Sequence, residues 1–275
     1  MDASRFVSDA GSAPDARQFV FMLRGLEELE ASLASLGIPL FLIRGDPNVE
    51  VAALVARLAP SVVVTDFGAL REDRVWRDGL AEKISVPLHE VDAHNVVPVW
   101  ETSEKQEYAA RTIRPKIHKK LGSFLTDFPA IEDTMPSSPE GGEGAQRKAW
   151  AALDIAVPKI DWDGMIRDAA EKGKAVPEVT WCKPGEAAAL RALKGETEGT
   201  TEGSGKGGTG FLSKARLGMF DSKRNDPNVP AALSGLSPYL HFGQLSAQRV
   251  SPCERMRASE RERERECVCV CACMC

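Results

Sequence analysis

The sequence predicts a parallel-sheet α/β region that lacks its opening strand, then an α-helical region, then a disordered C-terminal tail. Three observations lead there. Helix-like and strand-like segments alternate from residue 18 to residue 91, strand patterns are absent after that, and residues 251–275 are dominated by two dipeptide repeats. Such alternation is what a parallel sheet with right-handed crossovers requires.

Residues 18–36 place Phe19, Met22, Leu26, Leu29, Leu33 and Leu36 at steps of three and four, the spacing of one helix face. Gly37 supplies the C-cap. Residues 39–43 (PLFLI) are a continuous apolar run, the pattern of a buried strand. Asp46 before Pro47 is an N-cap with proline at the first helical position, opening a helix over 49–58. Residues 61–65 (SVVVT) predict a second buried strand. Residues 71–84 predict a polar helix around Trp76 and Leu80, and 86–91 (VPLHEV) a third strand. A unit of this kind normally opens on a strand near the sheet centre. Residues 1–17, expected to be a disordered leader, contain no such pattern.

Residues 103–120 predict a helical or broken-helical segment. Between His94 and Lys120 stand Lys105, Arg111, Arg114, Lys116, Lys119 and Lys120 against Glu101, Glu104 and Glu107, a local excess of three positive charges. That face is either solvated, phosphate-contacting or inter-domain. Residues 133–148 are rich in Pro, Gly and Ser and predict a linker. Residues 195–210 hold seven Gly and no large apolar residue. They miss the G-x-x-x-x-G-K-[ST] phosphate-loop pattern because Gly207 follows Lys206, so they predict a low-complexity insertion. It interrupts a helical region: 184–194 (PGEAAALRALK) has a sound helix start, and 211–222 carry Phe211, Leu212, Ala215 and Met219 on one face.

Composition is that of an ordinary globular chain: 275 residues, 43 % hydrophobic, 27 % charged. A net charge of −5 excludes a protein that coats nucleic acid by charge alone, while allowing a local basic face. No apolar run is long enough for a membrane span. The N-terminus lacks the apolar core of a secretory signal, and Asp2, Asp9 and Asp15 argue against a transit-like leader. Seven cysteines are present, six of them after residue 250. A body with Cys182 alone has no disulfide framework and suits a reducing compartment.

The tail alternates Glu and Arg over 260–266, then Cys and Val over 267–271. A GA dinucleotide repeat read in triplets encodes Glu-Arg, and a GT repeat encodes Cys-Val. The tail therefore looks like translated non-coding DNA. A thiolate metal cluster is the competing reading, and no metal site is assigned.

Several motifs carry a resemblance. They are RNDP (224–227), LSGLSPYLHFGQ (233–244), FMLRGL (21–26), VDAHNVVPVW (91–100), KQEYAARTIRPK (105–116) and, more weakly, WCKPGE (181–186). Together, in this order along 18–250, they resemble the class II cyclobutane pyrimidine dimer photolyases of the photolyase/cryptochrome superfamily. The resemblance implies a Rossmann-like antenna domain over 18–132 and the beginning of a helical FAD-binding domain over 149–250. It implies light-driven repair of pyrimidine dimers in damaged DNA by a monomeric flavoprotein, with FAD as cofactor and an unassigned antenna pigment. The dimer is flipped out of the duplex, because the flavin cannot reach a stacked base.

By resemblance, Leu233, Ser234, Gly235, Leu236 and Ser237 hold the FAD diphosphate. Their chemistry suits this role: glycine permits close backbone approach, two hydroxyls flank it, and Pro238 can open a helix. A plain serine cap without ligand is the competing reading. Phe220 stands where the family usually has Tyr and joins the candidate cofactor contacts without a hydroxyl. Trp100, Trp150, Trp162 and Trp181 are expected in core or interface positions, and His241 and Phe242 as packed helix residues. The family continues well beyond Arg249. Catalytic residues are expected there, so this chain is expected not to repair DNA by itself. The alternative is a non-enzymatic product of an incomplete gene model that binds neither FAD nor DNA.

Overall fold

A computed structural model describes residues 16–126, 156–172, 177–195 and 210–255. The chain forms two units, each drawn from two stretches: Met1–Val91 with Ile131–Lys183, and Asp92–Ala130 with Pro184–Cys275.

In the first unit, helix α1 (Ala16–Ser35) buries Val20, Phe21, Met22 and Leu23. It closes as expected at Gly37, whose φ is +72°, with the Ile38 N–H donating to the Leu33 carbonyl at 2.9 Å. Helix α2 (Pro47–Leu58) starts on the Asp46 cap, whose carboxylate accepts from the Asn48 N–H at 2.8 Å. Strand β1 (Val63–Asp66), helix α3 (Arg71–Ala81) and strand β2 (Leu88–Val91) follow, and β1 pairs with β2 in parallel, Val63 opposite Leu88.

Two expectations fail here. Residues 39–43 are not a strand. An apolar run becomes a strand only when a neighbour offers ladder partners, and this one pairs with neither β1 nor β2. The two strands that do form are not buried on both faces. Val63, Thr65, Leu88 and Glu90 are half-buried, whereas Val64 (61 % exposed) and Val91 (47 %) face outward. Two strands give too little sheet for full cover on both sides.

Helix α6 (Trp162–Lys172) packs on α1. The Trp162 indole N–H donates to Glu30 Oε2 at 2.6 Å, and Arg24 holds Glu178 through two nitrogens at 3.2 Å each. A cavity of about 780 Å³ lies between α1, residues 42–47 and 158–165, with Phe19, Leu26, Ile43, Trp76 and Met165 in its wall. Of the tryptophans, Trp162 is buried as expected. Trp181 (75 % exposed) and, in the second unit, Trp100 (47 %) are not core residues, and Trp150 lies outside the described residues.

The second unit contains α4 (Val99–Thr102), α5 (Ala110–Phe124), α7 (Glu186–Lys194), α8 (Lys214–Lys223), a 3₁₀ turn (Pro230–Ala232), α9 (Ser237–His241) and α10 (Ala247–Arg255). No strand occurs among its described residues. Val96, Val97, Leu121 and Ala247 form one core cluster, with Ile117, Phe124 and Leu125 against it. Helix α10 continues to Arg255, so residues 251–255 do not belong to a disordered tail as expected. Ser251 is fully buried, its hydroxyl donating to the Ala247 carbonyl at 3.1 Å. The Glu-Arg and Cys-Val repeats, residues 1–15 of the leader, the linker and residues 196–209 of the insertion lie outside the described residues, whereas Ala16 and Arg17 open α1.

The ends of that insertion meet. A Cβ on Gly210 would stand 2.0 Å from the Gly195 nitrogen, and the Phe211 and Leu212 N–H groups donate to the Ala192 and Leu193 carbonyls at 2.9 Å. Replacing 196–209 by a three- or four-residue link should therefore keep the fold. It should raise the unfolding free energy by about 1 kcal/mol, because less chain entropy is lost on closing the loop. A urea midpoint that falls instead would show that the insertion contributes packing of its own.

Candidate functional site

The segment singled out by sequence runs from the 3₁₀ turn into α9. Leu233 is half exposed, Leu236 is 1 % exposed and anchors the segment in the core, and Ser237 is exposed. Gly235 has φ +71°, a conformation that costs an L side chain roughly 1–2 kcal/mol, and a Cβ there would meet nothing within 4 Å. The backbone is thus open to close approach at Gly235. Ser234 Oγ accepts from the Leu236 N–H at 3.3 Å, so one of the two hydroxyls serves the loop itself. The N–H groups of Gly235 and Ser237 donate to no partner among the described residues. Helix α9 is only five residues long. Any anion site here rests on local N–H and hydroxyl donors rather than on a helix dipole.

Helix α8 supports this loop. Ser213 caps it, accepting from the Arg216 N–H at 3.4 Å, so Phe211 and Leu212 precede the helix rather than lining it. Ala215 is exposed, while Leu217 and Phe220 are the buried residues of α8. The expected apolar face is displaced because the Ser213 cap sets the helix start. The Arg216 guanidinium reaches back to the loop, Nη2 to the Leu233 carbonyl at 2.7 Å and Nε to the Ala231 carbonyl at 3.4 Å. Phe220, one turn further along, is 7 % exposed. Its ring meets Phe211 edge-on at 5.1 Å and 77°, with the Arg224 guanidinium 5.3 Å from its centroid. Phe220 therefore sits inside the support of the loop. His241 is exposed and stacks edge-on with half-buried Phe242 at 4.7 Å.

The remaining motif residues act as fasteners. Gln244 Oε1 accepts from the Gly185 N–H at 2.8 Å, where Gly185 has φ +102°. Gln248 Nε2 donates to the Asn95 carbonyl at 3.3 Å, and Arg249 pairs with Glu186. Asp92, 3 % exposed, accepts from the N–H groups of His94 (3.2 Å), Asn95 (3.0 Å) and Val99 (2.9 Å) and from the Asn95 amide. Arg216 escaped the sequence reading, and Gln244 and Asp92 entered it only as members of motifs, without a role. Each acts over a distance or through a fold that spacing does not reveal.

Among the described residues, Glu107 is the one carboxylate held well below its usual range. Lys116 (2.5 Å), then the Ser103 hydroxyl (2.8 Å) and that of Thr112, hold its pKa down to about 2 from 4.5. A depressed carboxylate contributes stability above its unfolded pKa and loses it as pH falls toward the folded value. Between pH 4.5 and about 2, stability should therefore drop, and Glu107→Gln should flatten that limb in urea midpoints measured against pH. An unchanged acid limb would place the dependence elsewhere.

Among the described residues no group of His, Cys, Asp and Glu could hold a metal ion, and no helix is long and apolar enough to cross a membrane. The parallel-sheet first unit and the helical second unit are the two parts that the resemblance of the motifs to photolyases implies. Residues 4–134 match the family model described as DNA photolyase. It is similar to the deoxyribodipyrimidine photo-lyases of Arabidopsis thaliana (43 % identical over 238 residues, 86 % of this chain and 43 % of that protein) and of rice, Oryza sativa subsp. japonica (43 % over 240 residues, 86 % and 42 %). That of Potorous tridactylus is 38 % identical over 236 residues, 85 % of this chain and 38 % of that protein. These plant and animal relatives fit class II. A solved bacterial class III photolyase from Agrobacterium tumefaciens has a TM-score of 0.49 at 18 % identity, covering 94 % of this chain and 48 % of that one. The chain spans less than half the length of the curated relatives it matches. Photolyases as a family act on damaged DNA and generally bind FAD.

Proposed function

We propose that this chain supplies the antenna-side domain (18–132) and the first part of the flavin-binding domain (149–250) of a light-driven deoxyribodipyrimidine photo-lyase. The observation that carries the reading is the open loop at Gly235, on the segment that resembles the family's flavin signature. The donor set suits a diphosphate: two unengaged N–H groups, an exposed Ser237 hydroxyl, and a glycine where a side chain would block approach. Reduced FAD, when bound, supplies an electron on excitation and takes it back once both carbon–carbon bonds joining the pyrimidines have opened, so the repair is redox-neutral.

The chain's own residues bind and orient. Gly235 and Ser237 donate to phosphate oxygens, Leu236 pins the segment to the core, and Arg216 fixes the loop carbonyls from α8. Phe220 keeps α8 in place through Phe211. The described residues give a diphosphate clamp on an open loop, so flavin binding by this chain is weak and dimer repair is absent.

Titration of FAD with the chain, followed by flavin fluorescence polarisation, tests this. Saturable binding that Ser237→Ala weakens is the expected result, with no dimer splitting under blue light. The absence of any saturable change would leave the non-enzymatic alternative standing. Phe220→Tyr separates the two roles of that ring. If the hydroxyl reaches flavin, affinity rises about fivefold, the worth of one hydrogen bond near 1 kcal/mol. If the ring is only support, affinity stays level and stability falls, because a buried hydroxyl would lack a partner.

A further inference from the structure

We propose that the outer face of α5 is a docking surface for the phosphate backbone of undamaged duplex DNA. Helix α5 carries five Lys and Arg residues, one His and no acidic residue, in a chain whose net charge is −5. Its inner side packs through Ile117, Leu121 and Phe124. The cations divide between two flanks. On one, Lys116 pairs with Glu107 at 2.5 Å and Lys120 with Glu101 at 3.0 Å. On the other, Arg111, Arg114 and His118 follow the i, i+3, i+7 spacing of a single helical stripe, with Lys119 beside them. All four are exposed, and none makes a hydrogen bond or ion pair among the described residues. Gly122 extends the stripe with open space above it.

An acidic chain that neutralises two of the five cations of this helix with carboxylates and leaves Arg111, Arg114 and Lys119 unpaired has segregated its charge. From Arg111 to His118 the stripe runs about 10 Å. That matches about three phosphate steps at 3.4 Å of rise per strand. The stripe has no apolar margin, which a membrane-surface helix would need beside its cations. The choice of DNA over other polyanions rests on the photo-lyase reading. The surface itself lies outside the candidate flavin loop.

The test uses the whole chain in the dark, without added FAD, and a fluorescein-labelled undamaged 20-base-pair duplex. Anisotropy titrations at several NaCl concentrations should show binding whose log–log salt slope falls by about 2.7 in the Arg111→Ala/Arg114→Ala/Lys119→Ala variant, at about 0.9 per phosphate contact. Lys120→Ala, whose charge is already paired, should keep the slope, and so should Arg111→Lys/Arg114→Lys. The second of these shows that any loss in the triple variant is charge and not unfolding. An unchanged slope in the triple variant, no binding by the natural chain at 20 mM NaCl, or binding to phosphatidylserine vesicles but not to duplex each overturns the proposal. Because the assay needs neither flavin nor damage, flavin binding with an unchanged slope sinks only the docking surface. Loss of flavin binding with the slope change intact sinks only the flavin loop.

Discussion

Asp92→Ala is expected to lower the unfolding free energy by about 4 kcal/mol, because it leaves three backbone N–H groups and an amide without their acceptor. The site is 3 % exposed, so water replaces those bonds poorly. Two of the donors close the turn at His94 and Asn95, and the third is the first N–H of α4, whose own flanking residue offers no side-chain cap. The carboxylate thus sets the path of 92–99 and delivers Val96 and Val97 to the core they share with Leu121 and Ala247. The Asn95 carbonyl on the same turn receives Gln248, so α10 loses an anchor too. For a domain held by about 5–15 kcal/mol, such a loss is a large fraction of the whole. Urea midpoints measure it. Asp92→Asn keeps one acceptor oxygen and should lose about half as much. A midpoint that moves by less than the equivalent of 1 kcal/mol in the alanine variant would mean that the turn holds itself.

What the sequence discloses about this chain follows the range of the interaction. Asp46–Pro47 and Gly37 were legible because a cap is made within four residues of where it is written. The open backbone at Gly235 is local chemistry too, but the role of 233–237 came from the family resemblance and not from spacing. The 39–43 run shows the opposite case. Its composition is that of a strand, but a strand is a relation between two segments, and the partner decides. Phe211 and Leu212 were placed on a helix because their spacing allows it, while the Ser213 cap starts the helix two residues later. Trp181 and Trp100 were expected in core or interface positions, and their exposure leaves only the second of these, which a residue type does not reveal. Arg216 was invisible because its acceptors are backbone carbonyls fifteen and seventeen residues away, and carbonyls leave no mark on a sequence.

Phe211→Ala should cost a comparable amount, about 4 kcal/mol, the range for a fully buried aromatic whose cavity cannot collapse. Its consequence reaches further than stability. Phe211 is fully buried, donates its N–H to the end of α7, and presents its ring to Phe220 on α8. Removing the ring leaves Phe220 with the Arg224 cation on one side and a void on the other. Helix α8 then loses the contact that fixes its rotation, and with it the aim of Arg216 at the Leu233 carbonyl. FAD affinity should fall even though Phe211 touches no donor of the loop. Phe211→Leu separates packing from ring chemistry: it restores most of the volume, so stability should recover by more than half and flavin affinity with it. If affinity in the alanine variant is unchanged under conditions where the protein remains folded, the loop holds its shape without α8. The clamp would then reside in Gly235 and Ser237 alone, and Arg216 would be a surface tether with no bearing on the cofactor.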